Sequence, residues 1–197
     1  CVTLLPQNLF YDCTSLTELS IPGGVSAVGH SAFSGCTALR KLVFKDGTEP
    51  LALGYNHFSQ VGGKNLFHDT AVETLYLGRD VQFLSGIEYG GAPFSSLKAL
   101  RRVEVGATVT TIPDDLFARC SQLETVTIGG CVATIGNRVF QGCHSLSRLI
   151  FNDGDMPLSL GCDLYEPAGM GRALFYDNPI RELYLGRELR YPETIYS

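Results

Sequence analysis

Phenylalanine recurs at one position of a repeat along this chain of 197 residues, and the other repeated residues can be aligned relative to it. Three of the intervals between successive copies are 23 residues long, and the others are 34, 27 and 35. The seven anchors are Phe10, Phe33, Phe67, Phe94, Phe117, Phe140 and Phe175. A repeat of this length is typical of a solenoid, because one unit cannot bury its own apolar face and stacked neighbours bury it together.

Apolar residues recur at the same offsets after each anchor. The third position is Cys in four repeats, the sixth is Leu in five, and the ninth and eleventh are apolar, which predicts a short strand with one buried face. Pro or Gly then ends the strand, as at Pro22 and Gly106. We predict an α/β repeat solenoid, a right-handed array of seven coils of about 23 residues. Short parallel strands alternate in it with turns of helical or 3₁₀ character around the anchors.

The chain also repeats on a larger scale. Phe10 and Phe117 are 107 residues apart, as are Phe33 and Phe140, and FKDGTEPLALG (44–54) returns as FNDGDMPLSLG (151–161). A block of four coils has therefore been duplicated, with a long insertion in each block. Because a plain coil has no room for the additional residues, we predict that residues 45–64 and 152–172 project from the edge of the solenoid.

The segments AFSGCTALRKLVF (32–44) and TIGNRVFQGCHSLSRLIF (134–151) resemble the BspA-type leucine-rich repeat family. The resemblance covers the chain outside the two insertions. Members look like bacterial surface or secreted proteins, and some eukaryotic parasite surface proteins share the repeat. The resemblance implies a protein-binding or adhesion scaffold without enzymatic activity, and it brings no set of binding residues with it. We expect residues 1–197 to form one solenoid domain that is part of a longer array.

Composition and motifs argue against several functional classes. The net charge is −5, so there is no basic footprint for nucleic acid, and no apolar run is long enough to span a membrane. Each of the four histidines replaces a residue of another kind in a related coil, and we interpret all four as surface or turn residues. The stretch NDGDMP (152–157) is better explained as an Asp-Gly turn than as a calcium loop. We expect no enzyme, cofactor or metal.

Four cysteines occupy one column of the repeat, namely Cys13, Cys36, Cys120 and Cys143. A free Cys in such a column behaves as a small apolar group, and we predict buried, reduced thiols. A disulfide between Cys13 and Cys36 is the alternative, because adjacent coils bring their α-carbons within the range that a bridge permits.

Alternate residues of each predicted strand face solvent and form two columns. One tyrosine in each block stands out, because it follows an insertion within the shared segment LYLGR (75–79 and 183–187). Exposed aromatic residues beside Arg are typical of binding hot spots. The predicted binding residues are Tyr76, Tyr184, Arg79, Arg187, Arg102 and Arg148. The alternative is that the tyrosines only cover the sheet face or the nearby insertion.

We expect an extracellular or cell-surface protein, held to the membrane, if at all, through a lipid anchor outside this chain. The leading hypothesis is protein binding or adhesion through the strand face and the insertions. A carbohydrate-binding surface protein and a structural spacer for another domain are the alternatives. The expected partner is a protein or glycan macromolecule, and a repetitive one could contact both blocks at once.

Overall fold

The structure, a computed structural model, describes residues 2–55, 66–83, 92–163 and 172–191. All regular structure in this part of the chain is β-strand, arranged as stacked parallel sheets with one antiparallel ribbon. The strands are β1 (Leu4–Leu5), β2 (Glu18–Ile21), β3 (Ala27–Gly29), β4 (Lys41–Phe44), β5 (Leu51–Tyr55), β6 (Thr74–Leu77), β7 (Val81–Phe83), β8 (Arg102–Val105), β9 (Thr111–Ile112), β10 (Thr125–Ile128), β11 (Thr134–Ile135), β12 (Arg148–Phe151), β13 (Leu158–Leu160), β14 (Cys162–Asp163), β15 (Arg172–Ala173), β16 (Glu182–Leu185) and β17 (Leu189–Arg190).

The largest sheet has seven parallel strands in the order β2-β4-β6-β8-β10-β12-β16. Its register aligns the outward residues as the repeat predicts. The first column is Glu18, Lys41, Thr74, Arg102, Thr125, Arg148 and Glu182. The second column is Ser20, Val43, Tyr76, Glu104, Thr127, Ile150 and Tyr184. The repeat solenoid with short parallel strands is therefore confirmed.

The shorter strands form two further parallel sheets, in the orders β1-β3-β5-β7 and β9-β11-β13-β17. Strands β5 and β13 lie within the predicted insertions, and Leu51 and Leu158 are fully buried. The prediction that residues 45–64 and 152–172 project as units is wrong for these parts, because their alternating leucines fill the same core as a plain coil. Residues 162–163 and 172–173 pair as the antiparallel ribbon of β14 and β15, and residues 56–65 and 164–171 lie outside the described residues.

The seven anchor phenylalanines form one stack through the core. Successive ring centroids are 5.6, 5.7, 5.6, 6.0, 6.1 and 5.4 Å apart, and all six pairs are stacked. The anchors from Phe33 to Phe140 are buried, whereas Phe10 and Phe175 are partly exposed. The register that placed one anchor in each coil is therefore correct.

The segments around the anchors are successive tight turns, and no helix occurs among the described residues. In most coils the N–H three residues after the anchor donates to the anchor's carbonyl, as from Cys36 to Phe33 at 3.3 Å. A left-handed residue follows two positions after every anchor, namely Asp12, Gly35, Asp69, Ser96, Arg119, Gly142 and Asp177. Because a left-handed residue cannot continue an α- or 3₁₀-helix, the expected helical turns do not form.

All four thiols of the cysteine column are free, as predicted, and Cys36, Cys120 and Cys143 are buried. The Sγ–H groups of Cys36, Cys120 and Cys143 donate to the anchor carbonyl of the preceding coil at 3.1, 3.2 and 3.3 Å. Burial raises the pKa of Cys120 and Cys143 to about 12. Cys13 is partly exposed, and its thiol is free rather than bridged to Cys36.

Candidate binding site

The two predicted tyrosines lie on the outer face of the seven-stranded sheet. Tyr76 is on β6 and Tyr184 is on β16, four strands away in the sheet. With strands spaced about 4.8 Å apart, the two side chains are separated by about 19 Å. Both belong to the same outward column, so they project in the same direction.

Each tyrosine has an aliphatic neighbour in register on the preceding strand. Val43 lies beside Tyr76, and Ile150 lies beside Tyr184. We call the pair Val43 and Tyr76 the first patch, and the pair Ile150 and Tyr184 the second patch. Tyr184 is 51% exposed, whereas Tyr76 is partly covered. Both patches therefore present an aromatic ring beside a branched aliphatic side chain.

The hydroxyl of each tyrosine is held by an aspartate from the start of the preceding insertion. The Tyr76 hydroxyl donates to Asp46 Oδ1 at 2.7 Å, and the Tyr184 hydroxyl donates to Asp153 Oδ1 at 2.7 Å. The hydrogen bond to Asp46 raises the pKa of Tyr76 to about 12, and the bond to Asp153 raises the pKa of Tyr184. These hydrogen bonds support the alternative in which each tyrosine covers the nearby insertion with its hydroxyl. The Tyr184 side chain nevertheless remains exposed, and Tyr76 is partly exposed.

Arg79 does not lie on the binding face. Its side chain is 1% exposed and donates to the carbonyl oxygens of Gly23 at 2.7 Å and Pro22 at 3.1 Å. Its Cδ lies 3.0 Å from the position that a Cβ of Gly47 would take, so this glycine leaves room for the side chain to cross the intervening coil. The prediction that Arg79 contacts a partner is wrong, because its guanidinium is used to join coils two repeats apart.

Arg187 repeats this arrangement in the second block. It donates to the carbonyl oxygens of Gly130 and Gly129 at 2.7 and 2.9 Å, and to that of Val132 at 2.6 Å. The side chain is partly exposed, but all of these acceptors belong to the solenoid itself. The guanidinium of Arg187 is thus engaged within the solenoid, and we call Arg79 and Arg187 with their carbonyl acceptors the two arginine clamps.

Arg102 and Arg148 are exposed on the first outward column, as predicted. Arg148 forms an ion pair with Glu182, at 3.3 Å from Nε to Oε2. Arg102 has Thr74 and Thr125 as its neighbours in register, and no ion pair joins it to another described residue. Arg102 is thus the more available of the two cations for a partner.

The sequence interpretation missed the aspartates that organise these patches. The sequence alone indicated only an Asp-Gly turn at Asp153 and assigned no role to Asp46. In both blocks the chain bends just after the Asp-Gly pair, at residues 48–49 and 155–156. The signal was present, because both blocks carry Asp about 30 residues before the tyrosine. Asp80 was also missed, and its Oδ1 accepts the backbone N–H of Thr110 at 2.8 Å and so joins two coils.

The side chains of the two patches are suited to contact with another molecule. Among the described residues, no group of three or more His, Cys, Asp or Glu side chains is close enough to hold a metal ion. The outward-facing side chains of the patches are aromatic and aliphatic, and the nearby carboxylates of Asp46 and Asp153 already accept hydrogen bonds from the tyrosine hydroxyls. Such surfaces stabilise complexes mainly through burial of apolar area.

Comparisons with known proteins agree with this architecture. The sequence pattern described as BspA type Leucine rich repeat region matches residues 3–76 and 63–157, with six copies. The crystal structure of a T. pallidum leucine-rich repeat protein is similar, with a TM-score of 0.58 and 25% identity, over 90% of this chain and 72% of that one. A Bacteroides ovatus leucine-rich repeat protein gives a TM-score of 0.47 and 15% identity, over 97% and 65%.

No curated protein matches the chain. The two matched ranges together run from residue 3 to residue 157 without a break, which is well over half of the sequence. They include six of the seven Phe anchors, the cysteine column and six of the seven strands of the largest sheet. This chain belongs to the BspA-type leucine-rich repeat family.

Proposed function

We propose that this chain is a non-enzymatic surface or secreted scaffold that binds a protein partner through the outer face of its seven-stranded sheet. The first and second patches are the contact points, and Arg102 is the accompanying cation. The observation that carries this proposal is the recurrence of the same outward-facing pair, a tyrosine beside a branched aliphatic residue, at the same register in both blocks.

The physical support comes from what each patch offers to a partner. A tyrosine ring supplies a large rigid surface at a low cost in side-chain entropy, which is why tyrosine is common at protein interfaces. The fold supports the same reading, since repeat solenoids provide extended surfaces for binding. Family members are typically surface or secreted proteins, and a role in adhesion follows if the partner lies on another cell or in a matrix.

The test is a capture experiment with purified extracellular-matrix and cell-surface proteins. We expect Tyr76→Ala and Tyr184→Ala each to weaken capture and the double variant to weaken it much further. Tyr11→Ala is the matched control, because Tyr11 is 42% exposed but follows an anchor turn instead of lying on the sheet. Capture that is equal for the parent and the double variant would exclude the strand face as the site.

A glycan partner is the second candidate, and the exposed ring of Tyr184 favours it because aromatic faces can stack on sugar rings. A glycan array with the same variants separates the two classes. Signals on the array that disappear with Tyr184→Ala, together with no protein capture, would assign the face to carbohydrate. Empty results in both experiments would leave the role of a structural spacer.

A further inference from the structure

We infer that the two patches bind one proline-rich polypeptide segment in the polyproline II conformation, lying across the strands with its two anchoring residues six positions apart. This inference rests on the proposed function and names the class of partner for the same surface. It is carried by three observations, namely the spacing of the patches, the hydrogen bonds of the two tyrosines and the pairing of the strands between them.

The spacing of the patches matches an extended polypeptide. Four strand intervals separate Tyr76 from Tyr184, which amounts to about 19 Å. A polyproline II helix rises about 3.1 Å per residue with three residues per turn, so six residues also cover about 19 Å. Six residues complete two full turns, and residues i and i+6 therefore project from the same side of the helix. One segment can thus place equivalent side chains on both patches.

The chemistry of each patch favours an apolar ring over a hydrogen-bonding group. Both tyrosine hydroxyls already donate to a carboxylate, on Asp46 and Asp153 respectively. What each patch leaves for a partner is the face of the aromatic ring and the adjoining Val43 or Ile150. Aromatic surfaces of this kind recognise proline-rich segments in other proteins, where the preformed helix keeps the entropy cost of binding low.

The backbone of the sheet argues against a bound β-strand. Strands β6, β8, β10 and β12 each have a parallel partner on both sides. Their N–H and C=O groups are therefore used within the sheet and cannot form a ladder with a segment that crosses its face. A polyproline II segment makes no such demand, since its backbone stays hydrated and forms no internal hydrogen bonds.

The fold also keeps the distance between the first and second patches constant. In the first arginine clamp, Arg79, which follows β6, is hydrogen-bonded to Pro22 and Gly23. In the second, Arg187, which follows β16, is hydrogen-bonded to Gly129 and Gly130. Each clamp spans two coils, and the stacked phenylalanines run without a break between the two blocks. A rigid pair of weak sites gains affinity from a ligand of matching length and loses it when the ligand is too short to reach both.

A length series of oligoprolines tests the inference directly. Peptides of three to ten prolines are titrated into the isotope-labelled protein, and binding is followed by NMR chemical shifts. We expect the affinity to rise by at least about tenfold once the peptide reaches seven residues, the shortest length that contains positions i and i+6. In Tyr184→Ala the step should vanish and leave only weak, gradual binding, whereas Tyr11→Ala should keep the step.

A second pair of variants distinguishes the contribution of the tyrosine ring to binding from that of its hydroxyl. Tyr76→Phe and Tyr184→Phe retain the ring, and we expect both to preserve the step at seven residues. A loss in the Phe variants as large as in the Ala variants would overturn the inference, because recognition would then depend on the hydroxyl. A series without a step in the parent protein would overturn it too.

The failure of this inference is distinguishable from the failure of the proposed function. If a captured protein partner is lost with Tyr76→Ala but no oligoproline binds at any length, the proposed function stands and the polyproline II partner is excluded. If both the captured proteins and the oligoprolines bind the double Ala variant as they bind the parent, the strand face is excluded and both proposals fail together.

Discussion

Replacing Phe117 by Ala should strongly destabilise the array, because this side chain lies in the middle of the stack. It is fully buried, and its ring centroid lies 6.0 Å from that of Phe94 and 6.1 Å from that of Phe140. Truncation of a core Phe to Ala typically costs about 3–5 kcal/mol. Each stacked pair contributes about 0.5–1.5 kcal/mol beyond area burial, and Phe117 would lose two such pairs. We therefore expect a loss in the upper half of the range, about 4–5 kcal/mol.

Phe10 provides the matched comparison within the same column. It is partly exposed and stacks on one anchor, Phe33, at 5.6 Å. With one stacked pair lost and less area returned to water, Phe10→Ala should cost about half as much, about 2 kcal/mol. The two variants remove the same atoms, so their difference measures what burial and the second ring contribute in the centre of the array.

The assay is equilibrium unfolding in urea, followed by far-ultraviolet circular dichroism and by tyrosine fluorescence. Because a solenoid can unfold from its ends, the two probes must give coincident transitions before a single free energy is assigned. A loss below about 1 kcal/mol for Phe117→Ala would refute the assignment of a buried spine, since core truncations of this size cost several times more. Equal losses for Phe117→Ala and Phe10→Ala would refute the role of two-sided stacking.

Three other outcomes are expected. Arg79→Met should lower the free energy of unfolding by about 1–3 kcal/mol in the same urea assay, because two carbonyl acceptors lose a charged donor. Cys120 and Cys143 should resist a thiol reagent in the native protein and react at once in denaturant, since burial raises the pKa of both to about 12. The hydrogen bond to Asp46 raises the pKa of Tyr76 to about 12, above its ordinary value of about 10. This bond should stabilise the fold fully below pH 10 and lose its effect as the pH rises towards 12, and absorbance titration of Asp46→Asn should show ionisation nearer pH 10.

The sequence repeat by itself determined the positions and the register of the strands in the largest sheet. Once the Phe anchors were aligned, the sequence predicted the seven strands of the largest sheet and both outward columns, from Glu18 and Ser20 to Glu182 and Tyr184. This prediction succeeds because the repeat length leaves few alternative ways to align one coil with the next. Residues at equal offsets must stack in a solenoid, and a one-residue error would turn every buried Leu to the solvent.

The tertiary structure decided how side chains connect one coil to another. Arg79 and Tyr76 are three residues apart in one segment, yet the first is buried against Pro22 and Gly23 and the second reaches Asp46. A repeat pattern assigns each residue to the inside or the outside of its own coil. It contains no information on a long side chain that crosses Gly47 to reach a coil two repeats away. That choice depends on three-dimensional distances, because a buried guanidinium must find carbonyl acceptors wherever the fold places them.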